Sequence, residues 1–297
     1  MKLPDLEELL VLRGAARRLS LRAHGPARAL FLGSHRSAHR GRGLEFEEVR
    51  PYAAGDDPRS IDWRVTARRG RVHTKLYREE RERPVWLLVD LDAGMFFGSR
   101  AQLKSVVAVR AAALLAWVAA SAGDRVGAVV VNATLVRVLP PRSREAGVLA
   151  LLNSLVELQP RSPYEPGPQR LQCGLTALAP LVHPGSLVLV LSDFAGLVDQ
   201  GSWSRVAAHS ECRWIWISDP LERRSLPDGR FRAGSPESVL PVDGASIRVA
   251  WLAAWREREA RIRSSSRTSG IELVELDTSE EVAAALARSL RSPKTAA

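Results

Sequence analysis

Cysteine is almost missing from this chain: Cys173 and Cys212 are the only two thiols in 297 residues. Two cysteines cannot build a disulfide framework, and no Cys-x-x-Cys spacing offers a thiolate cage or a dithiol redox motif. Both therefore read as reduced, structural thiols of a cytosolic protein. Long apolar runs are missing too. The longest helical apolar stretch, Ala111 to Gly123, falls well short of the ~20 residues a membrane-spanning helix needs. Met1-Lys2-Leu3-Pro4 runs straight into Asp5, Glu7 and Glu8, with no apolar signal-peptide core. These absences predict a cytoplasmic chain with no transmembrane segment, held at the inner membrane face only through partners. No Gly-x-x-x-x-Gly-Lys-Ser/Thr is present, so any ATPase activity must come from another chain. The six histidines lack ligand spacing, and His35 and His39, set among glycine and arginine, read as solvated.

Lysine is scarce as well: Lys2, Lys75, Lys104 and Lys294 are the only four among 43 basic residues. The net charge of +10 is concentrated. Arg13, Arg17, Arg18, Arg22, Arg28, Arg36, Arg40 and Arg42 follow one another with no acidic residue between them, while the rest of the chain is close to balanced. Such a stripe suits nucleic acid, an anionic membrane face or an acidic protein surface. It is equally what an arginine-biased genome would produce.

The chain divides by texture. Leu6, Leu9, Leu10 and Leu12 recur at helical spacing, with Asp5 as N-cap. Extended segments are expected over 45–52 and 71–77. Between them Asp57 caps, and Pro58 opens, a helix running toward Arg68. From Pro84 onward strands and helices alternate. Short apolar runs at 85–89, 125–132, 187–191, 213–217 and 271–276 read as strands covered on both faces. Helices are expected over 102–122, 145–158, 171–181, 203–209, 251–263 and 280–290. Residues 135–139 read as an antiparallel edge, 159–169 as a proline-rich linker, and 227–249 as a hairpin insertion around Asp228-Gly229 and Asp243-Gly244. The pattern predicts an α/β fold, Rossmann-like and doubly wound on a mostly parallel sheet, over 84–297. An N-terminal extension with helical and β segments occupies 1–83.

In an open parallel sheet, ligands bind at the carboxyl ends of strands near the topological switch point. Two such ends are acidic: Asp90-Leu91-Asp92-Ala93-Gly94 and Ser192-Asp193. If the two strands are neighbours, Asp90, Asp92 and Asp193 converge. Gathered carboxylates suit a hard cation such as magnesium or manganese. Without one, mutual repulsion raises at least one pKa. The plainer alternative is that these residues only cap the segments that follow.

A longer pattern adds a resemblance. Arg50-x-Tyr52-x-x-Gly55-Asp56-Asp57-Pro58-Arg59-x-Ile61-Asp62-Trp63, then Ala67-Arg68 and Lys75, resembles the signature of the domain of unknown function 58 family. Gly41-x-Gly43-x-Glu45-Phe46 upstream, and Glu80-x-Glu82-Arg83, Leu87-Leu88-Val89-Asp90 and Met95-Phe96-Phe97-Gly98 downstream, fit the same pattern. The resemblance implies a von Willebrand factor A-like domain associated with MoxR-type AAA+ ATPases and other von Willebrand factor A-like proteins, in chaperone-like assembly or activation. It also implies a metal-ion-dependent adhesion site, whose complete form carries Asp-x-Ser-x-Ser on one loop, threonine on a second and aspartate on a third. Here Asp90 matches the first aspartate, Asp92 and Gly94 replace the two serines, Thr176 is the second-loop candidate and Asp193 fits the third. The added charge and lost hydroxyl satisfy a cation internally and weaken its pull on a partner's carboxylate, so the site reads as degenerate, with Mg2+ or Mn2+ occupancy open. The 50–68 motif reads as an internally paired structural element anchored by a buried Trp63, with direct partner contact as the alternative. The expected function is a non-enzymatic interaction module. The alternatives are binding of nucleic acid or an acidic surface through Arg13, Arg17, Arg18, Arg36 and Arg40, and, last, a metal-dependent hydrolase, for which no general base or second metal cluster stands at a convincing spacing.

Overall fold

The computed structural model describes residues 2–21, 44–53, 56–79, 83–160, 170–196, 200–235 and 238–291. Gly55, Arg36, Arg40 and the proline-rich 161–169 lie outside them. Two compact units emerge, one of residues 1–24 with 83–297 and one of residues 25–82.

The larger unit contains α1 (Leu6–Ala16), β3 (Pro84–Leu91), α3 (Lys104–Ser121), β4 (Arg125–Asn132), β5 (Val136–Ser143), α4 (Glu145–Leu158), α5 (Arg170–Leu178), β6 (Leu187–Ser192), α6 (Gln200–His209), β7 (Glu211–Ser218), α7 (Pro220–Arg224), β8 (Arg230–Ser235), β9 (Ser238–Asp243), α8 (Gly244–Thr268), β10 (Glu272–Asp277) and α9 (Val282–Arg291). The smaller contains β1 (Leu44–Pro51), α2 (Trp63–Arg69) and β2 (His73–Glu79).

The six-stranded sheet runs β10-β7-β6-β3-β4-β5, and every pair is parallel except the edge pair of β4 with β5. Side chains alternate across it with period two. Val85, Leu87, Val89 and Leu91 join one apolar cluster together with residues of α1, α3, α4 and α9. Trp86 and Leu88 join the other, with Leu171, Leu175, Trp203, Trp255 and Ile262 from α5, α6 and α8. This is the expected doubly wound α/β fold, with the sheet covered on both faces. Chain order moves outward from β3 to β4 and β5, then returns to β6 on the opposite side of β3. The switch point therefore lies between the carboxyl ends of β3 and β6.

α3 is apolar nearly all round, as a helix is when other elements enclose it. It is long and apolar enough to cross a bilayer, yet most of it is buried inside the fold. α1 packs on it: Leu9 is fully buried and its carbonyl accepts the Trp117 Nε1 hydrogen at 3.1 Å. Arg110 on α3 pairs with Glu8 at 2.6 Å. The first helix, grouped by sequence with the extension, thus belongs with the α/β unit. Asp5 caps it as expected, accepting from Glu8 N.

Three further segments depart from expectation. The single helix expected from Pro58 to Arg68 is two pieces. Asp57 caps only a 3-10 turn, Pro58–Ser60. Ile61 is then extended and bridges to Thr74, so Asp62 must cap α2 afresh, accepting from Arg64 N and Val65 N. Asp243-Gly244 is not a hairpin turn, because the Asp243 carboxylate accepts from Ser246 N and starts α8 seven residues before the expected Trp251. Trp63, expected as a buried anchor, is 68% exposed at the first position of α2.

Candidate functional site

The site forms at the switch point. Asp90 lies on the same side of the sheet as Trp86 and Leu88, and Ser192 on that of Val188 and Val190, because each is an even number of residues away. Adjacent pairing of β3 and β6 then brings their ends together. The Ser192 hydroxyl donates to Asp90 Oδ2 at 2.6 Å, and its oxygen accepts from Phe194 N at 2.9 Å. The other Asp90 oxygen accepts from Asp92 N at 3.0 Å. Asp92 itself turns to cap the following turn, accepting from Ala93 N.

Asp193 is aimed by a strained turn. Phe194 has φ of 52°, a left-handed conformation unusual for a bulky residue. Such a residue costs on the order of 1–3 kcal/mol and persists where the surroundings over-determine it. Here Phe194 is fully buried, with its ring stacked 4.7 Å from Trp214. Asp193 Oδ1 accepts from Ala195 N at 2.9 Å, while Oδ2 takes the Lys104 ammonium at 2.6 Å.

Lys104 went unrecognised in the sequence reading. It opens α3, its side chain is 2% exposed, and its Nζ also reaches Glu222 Oε1 at 3.0 Å. Glu222 is held by a capping box: Asp219 caps α7, and its backbone N–H donates to Glu222 Oε2 at 2.9 Å. Arg258 on α8 approaches Glu222 Oε1 at 3.4 Å. The sequence signal for Lys104 was its rarity, one of four lysines in an arginine-rich chain, set where an otherwise apolar helix begins.

These neighbours set the ionisation. Burial, then the Asp193 charge, pushes Asp90 up to about 7. Burial pushes Asp193 upward too, but the Lys104 ammonium, the Ala195 N–H and Arg258 together hold it below the ordinary carboxylate range. Burial works against the Lys104 ammonium, yet Asp193 and Glu222 override it and raise its pKa.

A cavity of about 480 Å3 opens beside this cluster, with Phe96, Phe97, Trp251 and Trp255 as aromatic walls and Asp193, Lys104, Glu222 and Arg258 as its polar side. A Cβ placed on Gly94 would lie 3.6 Å from Asp193 Oδ2. The position expected for the second adhesion-site serine therefore does face the third-loop aspartate. Thr176 does not join them. Gly174 is pressed on the sheet, where a Cβ would come within 2.7 Å of Leu88 and Val131. Two residues further, roughly 200° round the helix, Thr176 is exposed; its hydroxyl donates to Gln172 O at 2.9 Å, and it lines a separate hollow with Pro180 and Arg205. Among the described residues no group of three His, Cys, Asp or Glu side chains is placed to hold a metal ion. With an ammonium already on Asp193, this donor set does not fit a divalent cation.

The signature motif splits in two. Arg50 Nη2 bonds Asp56 Oδ1 at 2.7 Å, Ala53 N donates to Asp56 Oδ2, and Tyr52 Oη donates to Asp56 O. With the caps of Asp57 and Asp62, these residues build the turn itself. Arg59, Trp63 and Arg68 are exposed. In the basic stripe Arg13 is engaged, pairing with Glu145 at 2.6 Å and lying over the Trp117 ring; Arg17 and Arg18 are exposed.

The family described as "Protein of unknown function DUF58" matches residues 48–261. Uncharacterized proteins of Mycobacterium bovis and of two Mycobacterium tuberculosis strains are each 30% identical over 223 residues, spanning 73% of this chain and 68% of theirs. The signature around Asp56 and the strand-end Asp90 both fall inside the matched segment, and the chain belongs to the DUF58 family.

Proposed function

We propose that this chain is a non-enzymatic protein-interaction module that works beside a MoxR-type AAA+ ATPase, in the cytoplasm, in chaperone-like assembly or activation of other proteins. One observation carries the reading. At the switch point, where an α/β enzyme would keep its reactive groups free, the polar groups are bonded to one another, and the open space beside them is apolar and aromatic. Ser192 is fully buried, with its hydroxyl committed to Asp90. A nucleophile must reach its substrate, and a hydroxyl enclosed on every side does not. Concave surface with aromatic walls and a few fixed charges is what a partner's side chains dock into. The exposed Trp63 and its neighbouring arginines offer a second patch of the residue types that dominate interface energetics.

Co-purification with the MoxR-type ATPase of the same host tests the proposal. A complex that survives washing supports it. Absence of any complex, with and without nucleotide and magnesium, refutes it.

A further inference from the structure

We infer that Lys104 is the resident cation of the switch-point crevice, and that its ammonium keeps a latent divalent-cation site closed. The inference concerns the crevice alone and holds whichever partner the chain binds. Its basis is geometric. Asp193 Oδ2 and Glu222 Oε1 converge on one Nζ at 2.6 and 3.0 Å from two different elements. Asp90, at the end of the adjacent strand, is bonded at 2.6 Å to Ser192, the residue next to Asp193. The same Asp193 oxygen faces Gly94, where a Cβ fits at ordinary contact distance. Two carboxylate oxygens, one from the loop after β6 and one from α7, with room for a hydroxyl or water at Gly94, are oxygen donors of the kind Mg2+ and Mn2+ select. What occupies it is a buried ammonium: Lys104 is 2% exposed and is donated by the first turn of the central helix.

Charge supports the same conclusion. Asp193 and Glu222 bring two negative charges, and Lys104 with Arg258 brings two positive ones. A divalent ion added to this set would sit against an ammonium held between its own ligands, and like charges at that separation repel strongly in a buried site. Removing Lys104 reverses the balance. It leaves excess negative charge at Asp193 and vacates the volume of an ammonium and its methylene stem. A hexahydrated ion can fill such a space by keeping part of its water shell. The crevice thus binds its partner without a metal bridge, in contrast to an adhesion site in which the ion takes a carboxylate from the ligand.

The test is a Mn2+ titration of the full chain, read by the electron paramagnetic resonance signal of free Mn2+ and by calorimetry. Wild type, Asp193→Asn, Lys104→Ala, Lys104→Ala/Gly94→Ser and Lys104→Ala/Asp193→Asn are compared. Expected are no uptake by wild type, uptake of one Mn2+ per chain by Lys104→Ala, tighter uptake with the Gly94→Ser hydroxyl added, and loss of uptake with Asp193→Asn. Should Lys104→Ala fail to fold in chelator, Mn2+ restores its folded fraction, since an ion that binds only the folded state stabilises that state. Stoichiometric uptake by wild type that Asp193→Asn abolishes overturns the inference. So does a Lys104→Ala chain that neither takes up Mn2+ nor gains folded fraction from it.

Discussion

Replacing Lys104 with methionine keeps most of the side chain's length and removes only its charge. The consequence follows from what is left behind. Glu222 retains the Asp219 N–H at 2.9 Å and Arg258 at 3.4 Å, so it keeps a donor and a cation. Asp193, whose side chain is 9% exposed, retains the Ala195 N–H at 2.9 Å and the weaker pull of the Arg258 charge, and loses its one ion-pair contact among the described residues. Breaking a buried ion pair by deleting one partner costs about 3–5 kcal/mol, most of it the desolvation of the orphaned charge. Because Glu222 keeps other partners, the lower part of that range is expected, near 3 kcal/mol. The pH dependence carries a sign as well. Asp193 has a lowered pKa in the folded protein, so its contribution is present above the ordinary 3.8 and is lost as pH falls through the folded value. Lys104 has a raised pKa, so its contribution is full below 10.5 and is lost as pH rises through the folded value. The difference between wild type and Lys104→Met is therefore largest between these limits and shrinks as Asp193 protonates in acid. Urea unfolding at several pH values, followed by tryptophan fluorescence, measures it. Adding Asp193→Asn to Lys104→Met should recover much of the loss. A Lys104→Met variant within about 1 kcal/mol of wild type at neutral pH, the range of an exposed pair, would refute the account of the crevice.

Three further outcomes are expected. Asp90→Asn stabilises the protein near and above pH 7 but not near pH 4: between 3.8 and about 7 the folded state holds a proton the unfolded state has lost, so wild-type stability falls with rising pH across that window by on the order of 3–4 kcal/mol, and unfolding midpoints at both pH values read the difference. Gly174→Ala destabilises by roughly 1–3 kcal/mol, because its Cβ would come within 2.7 Å of Leu88 and Val131 and force the helix off the sheet; an unchanged melting curve would show that α5 is not seated there. Trp63→Ala leaves stability within about 0.5 kcal/mol, as an exposed side chain should, and weakens partner binding, so a large fall in the melting temperature would return Trp63 to the core.

The frame of the protein was legible because its strands are buried on both faces. Runs such as Val85 to Val89 and Leu187 to Leu191 have no polar residue to disguise them, and the strand-end aspartates follow directly. Convergence of Asp90 with Asp193 needed only the adjacency of β3 and β6. Lys104 was hidden because a lysine at a helix start ordinarily points to water, and its partners lie 89 and 118 residues further on. Thr176 misled for the opposite reason: it had the right chemistry, but Gly174 settles which face of the helix meets the sheet. At Asp243-Gly244 hairpin and N-cap chemistry use the same residue types, and only the Ser246 N–H decides between them. Trp63 looked like an anchor because tryptophan usually is one; Ile61, pinned to Thr74, ends the preceding turn and leaves Trp63 on the outer first turn of a new helix.

The central claim is that the crevice and its aromatic cavity receive a protein partner. Ala254 lies on the exposed face of α8 at the cavity wall, four residues before Arg258. Ala254→Glu fills the space while allowing a favourable i,i+4 pair within the helix. Titrating the host's purified MoxR-type ATPase onto labelled wild-type and Ala254→Glu chains is the most direct measurement. Saturable binding by wild type, weakened about tenfold or more in the filled variant at unchanged stability, corresponds to the loss of at least ~1.4 kcal/mol of docking energy. No binding by wild type, or equal affinity for both chains, would contradict the account.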